Sequence, residues 1–201
     1  PADLVDNLRR VIRYLKGPLA IRSSSKLEDS HYQPFAGIYS TYMIPNTENP
    51  DQTLRLLGKA IKSVYASVFF AASRAYITAT ANVISEEKMA IVVQEVVGTE
   101  DSGYYFPTIS GVARSINFYP IGDETAEDGI ANIALGLGKL VVEGGQTLRF
   151  SPRYPKNVLQ LSTAELAFRD TQREMSALRM QPEESKTSID DAVNLKRFEI
   201  N

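Results

Sequence analysis

The chain of 201 residues contains no cysteine. It therefore has neither disulfide bonds nor thiolate metal sites, and a reducing cytoplasm is the compartment that its composition favours. It also has no apolar run as long as a membrane-spanning helix, so we predict no membrane span. The first residue is Pro1 rather than methionine, and we therefore expect the chain to be a piece of a longer protein.

A strong excess of one charge is also lacking. The 22 basic and 24 acidic residues give a formal net charge of −2, and the basic residues are scattered along the chain. This pattern argues against a dedicated nucleic-acid-binding protein, so an anionic ligand would have to be held by a few local groups. The hydrophobic content of 43% is enough for a substantial core in one domain or two lobes.

Several familiar catalytic and cofactor-binding patterns are missing. The sequence has no G-x-x-x-x-G-K-[ST] motif and no G-x-G-x-x-G motif after a predicted strand, which disfavours P-loop and dinucleotide-binding folds. It has no metal-ligand spacing, so no metal ligands are predicted within it. The single histidine, His31, follows Asp29 and Ser30 in a polar stretch, and we expect it to be exposed to solvent rather than catalytic.

Hydrophobic periodicity predicts an α+β fold. In chain order, the pattern predicts a helix over residues 2–16, strands over 18–23 and 38–43, a long helix over 50–78, strands over 89–97, 104–106 and 112–119, a helix over 128–135, strands near 148–150 and 157–161, a charged helix over 163–180 and a strand from 197. A turn is predicted at 110–111 and a glycine-rich connection at 136–145. We expect two lobes, approximately residues 1–87 and 88–162, and a helical or loose C-terminal extension over 163–201.

The segment over residues 18–41 has the most distinctive chemistry. Arg22 ends a short apolar run and is followed by three serines, and a turn at Gly37 lies four residues before Thr41. A planar guanidinium, small hydroxyl groups and a glycine that lets the backbone approach closely suit a polyphosphate ligand. The alternative from the residues alone is a surface hairpin with a polar tip, because short clusters of arginine, serine and glycine are common.

Three segments together resemble the ATP-binding domain of the pyruvate phosphate dikinase and phosphoenolpyruvate synthase family. They are A-I-R-S-S at 20–24, with E-D at 28–29, F-A-G at 35–37 and Thr41; V-V-Q-E-V-V at 92–97; and G-L-G-K-L-V-V-E-G at 136–144. The family signatures are similar to these segments and occur in the same order. The resemblance implies an ATP-grasp fold, of which this chain is a part: two α+β lobes with mostly antiparallel sheets, and the nucleotide held between the lobes.

The resemblance also implies roles for residues on the triphosphate side. Arg22 is expected to contact the phosphates and to be the catalytic residue, with Ser23 beside it in the site. The turn over residues 35–41 is expected to lie over the triphosphate. In that turn, Gly37 would offer its backbone N–H and Thr41 its hydroxyl group.

The resemblance also implies a strand that binds the adenine base, and it shows one position at which this chain departs from the family pattern. Ile38 stands where the family usually has glutamine, so we expect one polar contact of the nucleotide site to be lost. The strand residues Gln94, Glu95, Val96 and Val97 are expected to bind the adenine. Backbone groups would read the base edge, valine side chains would sandwich the ring, and Glu95 would accept a hydrogen bond from the exocyclic amine.

The function implied by the resemblance is ATP-dependent phosphorylation of a histidine on another domain, and then of pyruvate or a related acceptor. The implied partners are ATP, Mg²⁺, and the phosphohistidine and acceptor domains of the same parent chain. No segment resembles the family's magnesium-binding carboxylate strand, so we expect the Mg²⁺ ligands outside this chain and expect the chain alone to be inactive. Two alternatives stay open: a non-catalytic nucleotide-sensing or interaction module, and a structural α+β domain without a ligand.

Overall fold

The computed structural model describes residues 2–25, 39–79, 88–181 and 188–200. Its helices and strands are, in chain order, α1 (Ala2–Tyr14), β1 (Leu19–Ser25), β2 (Tyr42–Ile44), α2 (Pro50–Ser67), α3 (Ala71–Ala79), β3 (Met89–Glu95), β4 (Thr99–Asp101), β5 (Tyr104–Phe106), β6 (Ile109–Arg114), β7 (Ile130–Leu135), α4 (Lys139–Glu143), β8 (Leu148–Phe150), α5 (Ala164–Asp170), β9 (Glu174–Arg179), α6 (Asp191–Asn194) and β10 (Leu195–Glu199). The strand pairs β1–β2, β1–β3, β5–β9, β6–β7 and β7–β8 are antiparallel. The predicted α+β class with mostly antiparallel sheets is therefore confirmed.

The chain divides into two compact units. The first comprises Pro1–Tyr105 with Leu178–Leu195, and the second comprises Phe106–Ala177 with Lys196–Asn201. Each unit has its own antiparallel sheet. None of the described helices is both long enough and apolar enough to cross a membrane.

A three-stranded sheet in the order β2-β1-β3 forms the centre of the first unit. In its central strand, Leu19 pairs with Ile44 of β2 on one side and with Glu95 of β3 on the other. One face of the sheet packs against α1 and α2 and forms a core whose buried members are Ile12, Leu19, Ile21, Ile44, Leu56, Leu57, Ala60 and Val64. Because strand side chains alternate between faces, the residues between these core positions point to the opposite face, which we call the open face.

The helix predicted over residues 50–78 is two helices rather than one. α2 ends at Ser67 and α3 begins at Ala71. At the break, the Ser67 hydroxyl donates to the Val64 carbonyl at 2.7 Å, and the Ser73 hydroxyl donates to the Ser67 carbonyl at 2.7 Å. The two hydroxyl groups thus satisfy carbonyls at the end of α2 and allow the chain to turn there.

The second unit contains a sheet in the order β6-β7-β8. Its central strand β7 replaces the helix predicted over residues 128–135, and that prediction is wrong. Ala131 and Ala134, which favour a helix in isolation, are both buried in the sheet, and Ala131 pairs with Phe150 of β8. Pairing on both edges of β7 therefore decides the conformation over local propensity.

Three further predictions in this half of the chain are corrected. Residues 110–111 belong to β6 rather than to a turn, and residues 157–161 contain a 3₁₀ turn rather than a strand. The charged helix predicted over 163–180 is the short helix α5 followed by the strand β9. Within the first unit, Leu178 of β9 pairs with Tyr105 of β5. This pairing again overrides the helix propensity of the local sequence.

Candidate functional site

Arg22 lies on β1 and points to the open face of the first sheet. Leu19 and Ile21 on the same strand are fully buried in the core, whereas Arg22 is exposed. Across the ladder, Arg22 pairs with Val92 of β3, which is also exposed on this face. Among the described residues, no carboxylate lies within ion-pair distance of Arg22. Its guanidinium is therefore available on this face to an anionic ligand.

The side chains around Arg22 on the open face are small or polar. β1 contributes Ala20 and Ser24, and β3 contributes Ala90 and Gln94. Since Arg22 pairs with the residue two positions before Gln94, these two side chains are diagonal neighbours on one face. The structure thus brings together Arg22 from the first predicted segment and Gln94 from the second.

Thr41 adjoins the same sheet on the other side of β1. The ladder between β1 and β2 ends with the pair of Ile21 and Tyr42, and Thr41 is the residue directly before this pair. Thr41 is exposed. The residue before it donates its backbone N–H to the Ser67 hydroxyl at 3.3 Å, which ties this segment to the end of α2. Arg22 and Gln94 are therefore positioned by one sheet, and Thr41 directly precedes its strand β2.

Ser23 and Glu95 differ from Arg22 and Gln94, because their side chains lie on the helix-covered face of the sheet. The Glu95 Oε1 atom accepts hydrogen bonds from the backbone N–H groups of Lys16, at 2.8 Å, and of Gly17. A Cβ atom on Gly17 would lie 3.1 Å from this oxygen, so the glycine allows the carboxylate to approach. Glu95 thus ties the end of β3 to the connection between α1 and β1.

Both the backbone N–H and the carbonyl of Val96 are hydrogen-bonded to other residues of the chain. Its N–H donates to the Pro18 carbonyl at 2.8 Å, and its carbonyl accepts from the Tyr105 hydroxyl at 3.1 Å. Successive residues of a strand point their peptide groups to opposite edges, so those of Glu95 point to the outer edge of β3. In the part of the chain that the structure describes, no strand pairs with that edge. The side chain of Val97, which follows, is 83% exposed.

Tyr105 is a member of this region that sequence reasoning missed. The run Tyr104–Phe106 indicates only a strand, and nothing in it reveals a bond to a residue nine positions earlier. Burial, and after it the nearby Glu95 carboxylate, raise the pKa of Tyr105 above its ordinary value. The hydroxyl group is therefore protonated at neutral pH and able to donate a hydrogen bond.

Two predicted site residues, Gly37 and Ile38, lie outside the described residues. The same is true of His31 and of the E-D and F-A parts of the first motif, at 28–29 and 35–36. The roles assigned to them stay predictions.

The third predicted segment, at 136–144, is a strand-to-helix turn in the second unit. Gly136 has φ of +77°, and Leu137, which is 2% exposed, donates its N–H to the Ser176 carbonyl at 2.9 Å. Gly138 then precedes α4, and Gly144 ends this helix in the left-handed conformation. The predicted glycine-rich connection thus contains a helix, and its glycines shape the backbone at both ends of that helix.

A buried polar cluster between β6 and β7 also went unrecognised in the sequence. The Glu124 Oε2 atom accepts from the Asn117 side-chain amide at 2.9 Å and from the Ile121 N–H at 3.1 Å. The Asn117 Oδ1 atom accepts from the Tyr119 N–H at 3.1 Å and from Arg149 Nη2 at 2.8 Å. These bonds satisfy two buried polar side chains and fix the loop, which is a structural role.

Comparison with known proteins gives two findings. The profile of the family described as "Pyruvate phosphate dikinase, AMP/ATP-binding domain" matches residues 1–197. The chain is also similar to the uncharacterized phosphotransferase YvkC of Bacillus subtilis (strain 168), at 35% identity over 129 residues, which are 64% of this chain. The chain spans only 14% of the length of that relative. Since the family profile matches nearly all of it, the chain belongs to the pyruvate phosphate dikinase AMP/ATP-binding domain family, as its three segments predicted.

Proposed function

We propose that the first unit of this chain binds ATP as part of a phosphotransferase that is similar to phosphoenolpyruvate synthase or pyruvate phosphate dikinase. The observation that supports this best is the position of Arg22 on the open face, without an ion-pair partner among the described residues. The family description of an AMP/ATP-binding domain and the phosphotransferase name of the relative agree with the proposal.

The phosphate end of the nucleotide is proposed to lie over the open face. The planar guanidinium of Arg22 would bind bridging or terminal phosphate oxygens, and the Thr41 hydroxyl would donate a further hydrogen bond. The small, exposed side chain of Ala90 leaves room for the phosphates above the sheet. Arg22 is proposed as the catalytic residue, since phosphoryl transfer depends mainly on positioning and charge neutralisation. Ser23, Gly37 and Ile38 are proposed to complete this end through the backbone.

The base end is proposed to lie along the outer edge of β3. A strand edge without a partner presents backbone donors and acceptors in the arrangement that a nucleobase edge requires. Glu95 points its peptide groups to this edge, and the Val97 N–H is proposed as the next donor along it. The exposed side chain of Val97 and that of Val96 would cover the ring, and Gln94 would contact the sugar or phosphates from the open face.

The wider proposal is an ATP-grasp domain in which ATP is the substrate. Its phosphoryl group would pass to a histidine of another domain and then to pyruvate or a related acceptor. Bound Mg²⁺ would neutralise phosphate charge. In the described part of the chain, no three histidine, cysteine, aspartate or glutamate residues are grouped so that they could hold a metal ion. The proposal therefore assigns the Mg²⁺ ligands to residues outside that part.

The test is calorimetric titration of the full-length protein with Mg²⁺ and ATP, comparing wild type, Arg22→Ala, Arg22→Lys and Arg55→Ala. Arg55 is exposed on α2, which covers the other face of the sheet, so its substitution controls for the loss of one positive charge. A hydrogen bond to a charged group contributes roughly 1.5–3 kcal/mol, so Arg22→Ala should weaken ATP binding about 10- to 100-fold. Arg22→Lys should have an ATP affinity between those of wild type and Arg22→Ala, because lysine keeps the charge but lacks the planar fork of donors. Equal affinities of Arg22→Ala and Arg55→Ala would refute the assignment of Arg22.

A further inference from the structure

Residues 95–96 are held by two separate segments of the first unit, residues 16–18 and Tyr105. The connection between α1 and β1 donates two backbone N–H groups to the Glu95 carboxylate, and its last residue, Pro18, accepts the Val96 N–H through its carbonyl. The third contact is made by a side chain, the hydroxyl of Tyr105, which donates to the Val96 carbonyl at 3.1 Å. The end of β3 is therefore fixed by bonds from elements on different sides of it.

Tyr105 is itself placed by strand pairing rather than by β3. The hairpin between β4 and β5 turns at Ser102 and Gly103, both of which have positive φ, as a two-residue hairpin turn of this kind requires. β5 then pairs with β9, so that Tyr105 lies opposite Leu178, which is fully buried. The pairing of β5 with β9 thus determines where the Tyr105 hydroxyl lies relative to the Val96 carbonyl.

The consequence for β3 concerns the orientation of one peptide plane. When its carbonyl is held by Tyr105, the peptide group between Val96 and Val97 cannot rotate freely, and the direction of the Val97 N–H is fixed along with it. The Glu95 carbonyl and the Val97 N–H are the acceptor and donor that would face an adenine ring along the strand edge. Adenine presents a donor and an acceptor at its 6-amino and N1 positions, whereas guanine presents an acceptor and a donor there.

We propose that Tyr105 is a positioning residue for nucleobase recognition, which holds the donor and acceptor at the end of β3 in the order that selects adenine over guanine. This inference rests on the proposed function, because it assumes that the β3 edge binds the base. Discrimination by backbone hydrogen bonds is lost when their direction is no longer fixed, since the mismatched base can then find an alternative orientation. The phosphates, bound at Arg22 on the open face, do not depend on this peptide plane.

The experiment measures the affinities of the full-length protein for ATP, GTP and inorganic tripolyphosphate, each with Mg²⁺, in wild type, Tyr105→Phe and Tyr14→Phe. Tyr105→Phe removes only the hydroxyl oxygen, and Tyr14→Phe does the same at a side chain that is 83% exposed on α1. The loss of one fixed hydrogen bond should weaken ATP binding about tenfold and narrow the ratio of ATP to GTP affinity by a similar factor. Tripolyphosphate affinity should stay as in wild type, which also shows that the variant is folded.

Two results would overturn this inference while the proposed function, ATP binding by the wild type, still stands. In the first, Tyr105→Phe keeps the wild-type ratio of ATP to GTP affinity. In the second, it weakens ATP, GTP and tripolyphosphate by the same factor, as a purely structural role predicts. If wild type binds neither ATP nor tripolyphosphate, the proposed function fails and this inference fails with it.

Discussion

Arg22 and Val92 are directly opposite each other in the antiparallel ladder of β1 and β3, and both side chains lie on the open face of the sheet. Directly paired residues on one face of an antiparallel sheet have Cβ atoms about 4.5–5.5 Å apart, so a charge placed at one position acts on the other. Val92 is 44% exposed, which means that a polar side chain at this position meets solvent rather than the core. An acidic residue substituted for Val92 would therefore neutralise the charge of Arg22 while its guanidinium stays in place.

We predict that Val92→Glu will lower the affinity for ATP at least about tenfold while the fold is retained. The new carboxylate forms a cross-strand ion pair with Arg22, worth roughly 0.2–1 kcal/mol, and also repels the triphosphate. Val92→Gln is the matched control, because it has nearly the same shape without the charge. Calorimetric titration with ATP and urea unfolding of both variants provide the measurement. Similar ATP affinities of the two variants would argue that the phosphates do not lie at Arg22.

A second prediction concerns the bonds that Glu95 makes to Lys16 and Gly17. Glu95→Ala should lower the free energy of unfolding by about 1 kcal/mol, because two backbone N–H groups lose a charged acceptor and turn to water instead. Glu95→Gln keeps a side-chain oxygen in reach of both groups and should lose less than half of that. Urea unfolding is the measurement, and Glu100→Ala, at an exposed position of β4, is the control. The idea is wrong if the glutamine and alanine variants are equally destabilised.

The local part of this site could be predicted from the sequence, whereas its assembly could not. The strand over residues 18–23 and the chemistry of its Arg22 are encoded by adjacent residues, so both were predicted. The proximity of Gln94 to Arg22 depends on strand register, which is set by side chains distant in sequence. Tyr105 was missed for the same reason, since its contact with Val96 requires a separate strand pair to place it.

The misassigned elements have a common physical cause. The segment over 163–180 is rich in alanine, leucine, glutamate and arginine, and the segment over 128–135 contains two alanines and a leucine. These residues favour a helix when neighbours are ignored. In the structure, Ala131, Ala134, Ala177 and Leu178 are all buried in sheets, and their strand conformation depends on pairing with other strands. Propensity is thus least informative for strands built from small or unbranched residues.

A third prediction uses the acid dependence of stability at Asp128. The backbone N–H of Thr125 donates to Asp128 Oδ2 at 2.7 Å and is the main cause that lowers the pKa of this carboxyl, with a further contribution from Arg153. A carboxyl whose pKa is lower in the folded state stabilises the fold at pH values above its unfolded-state pKa, which is near 4. This contribution is lost as the pH falls through the pKa of the folded state. The destabilisation caused by Asp128→Asn should therefore be largest at neutral pH and shrink on acidification.

Urea unfolding between pH 2 and pH 7 measures this difference. Asp123→Asn, at an exposed carboxyl of the same loop, corrects for the general effect of removing one negative charge. A difference between wild type and Asp128→Asn that stays constant over the whole range would show that the bond from Thr125 does not favour the ionised carboxylate.

The last prediction separates the two glycines of the G-L-G segment by their conformations. Gly136 has φ of +77°, and a Cβ there would lie 2.8 Å from the Ser176 carbonyl oxygen. Gly138 has φ of −67°, and its nearest neighbour to an added Cβ is Ser110 Cβ at 3.5 Å. Gly136→Ala should therefore lower the free energy of unfolding by at least about 2 kcal/mol, since the left-handed conformation alone costs roughly 1–2 kcal/mol and the backbone oxygen must also move.

Gly138→Ala should cost less than about 1 kcal/mol, because an ordinary backbone conformation and an ordinary contact remain, and only the preference for glycine over alanine before α4 is lost. The two variants differ by the same single methyl group, so urea unfolding compares the positions directly. Equal destabilisation would mean that the segment tolerates rotation at Gly136. In that case the bond from the Leu137 N–H to Ser176, which follows this glycine, would not be what fixes the turn.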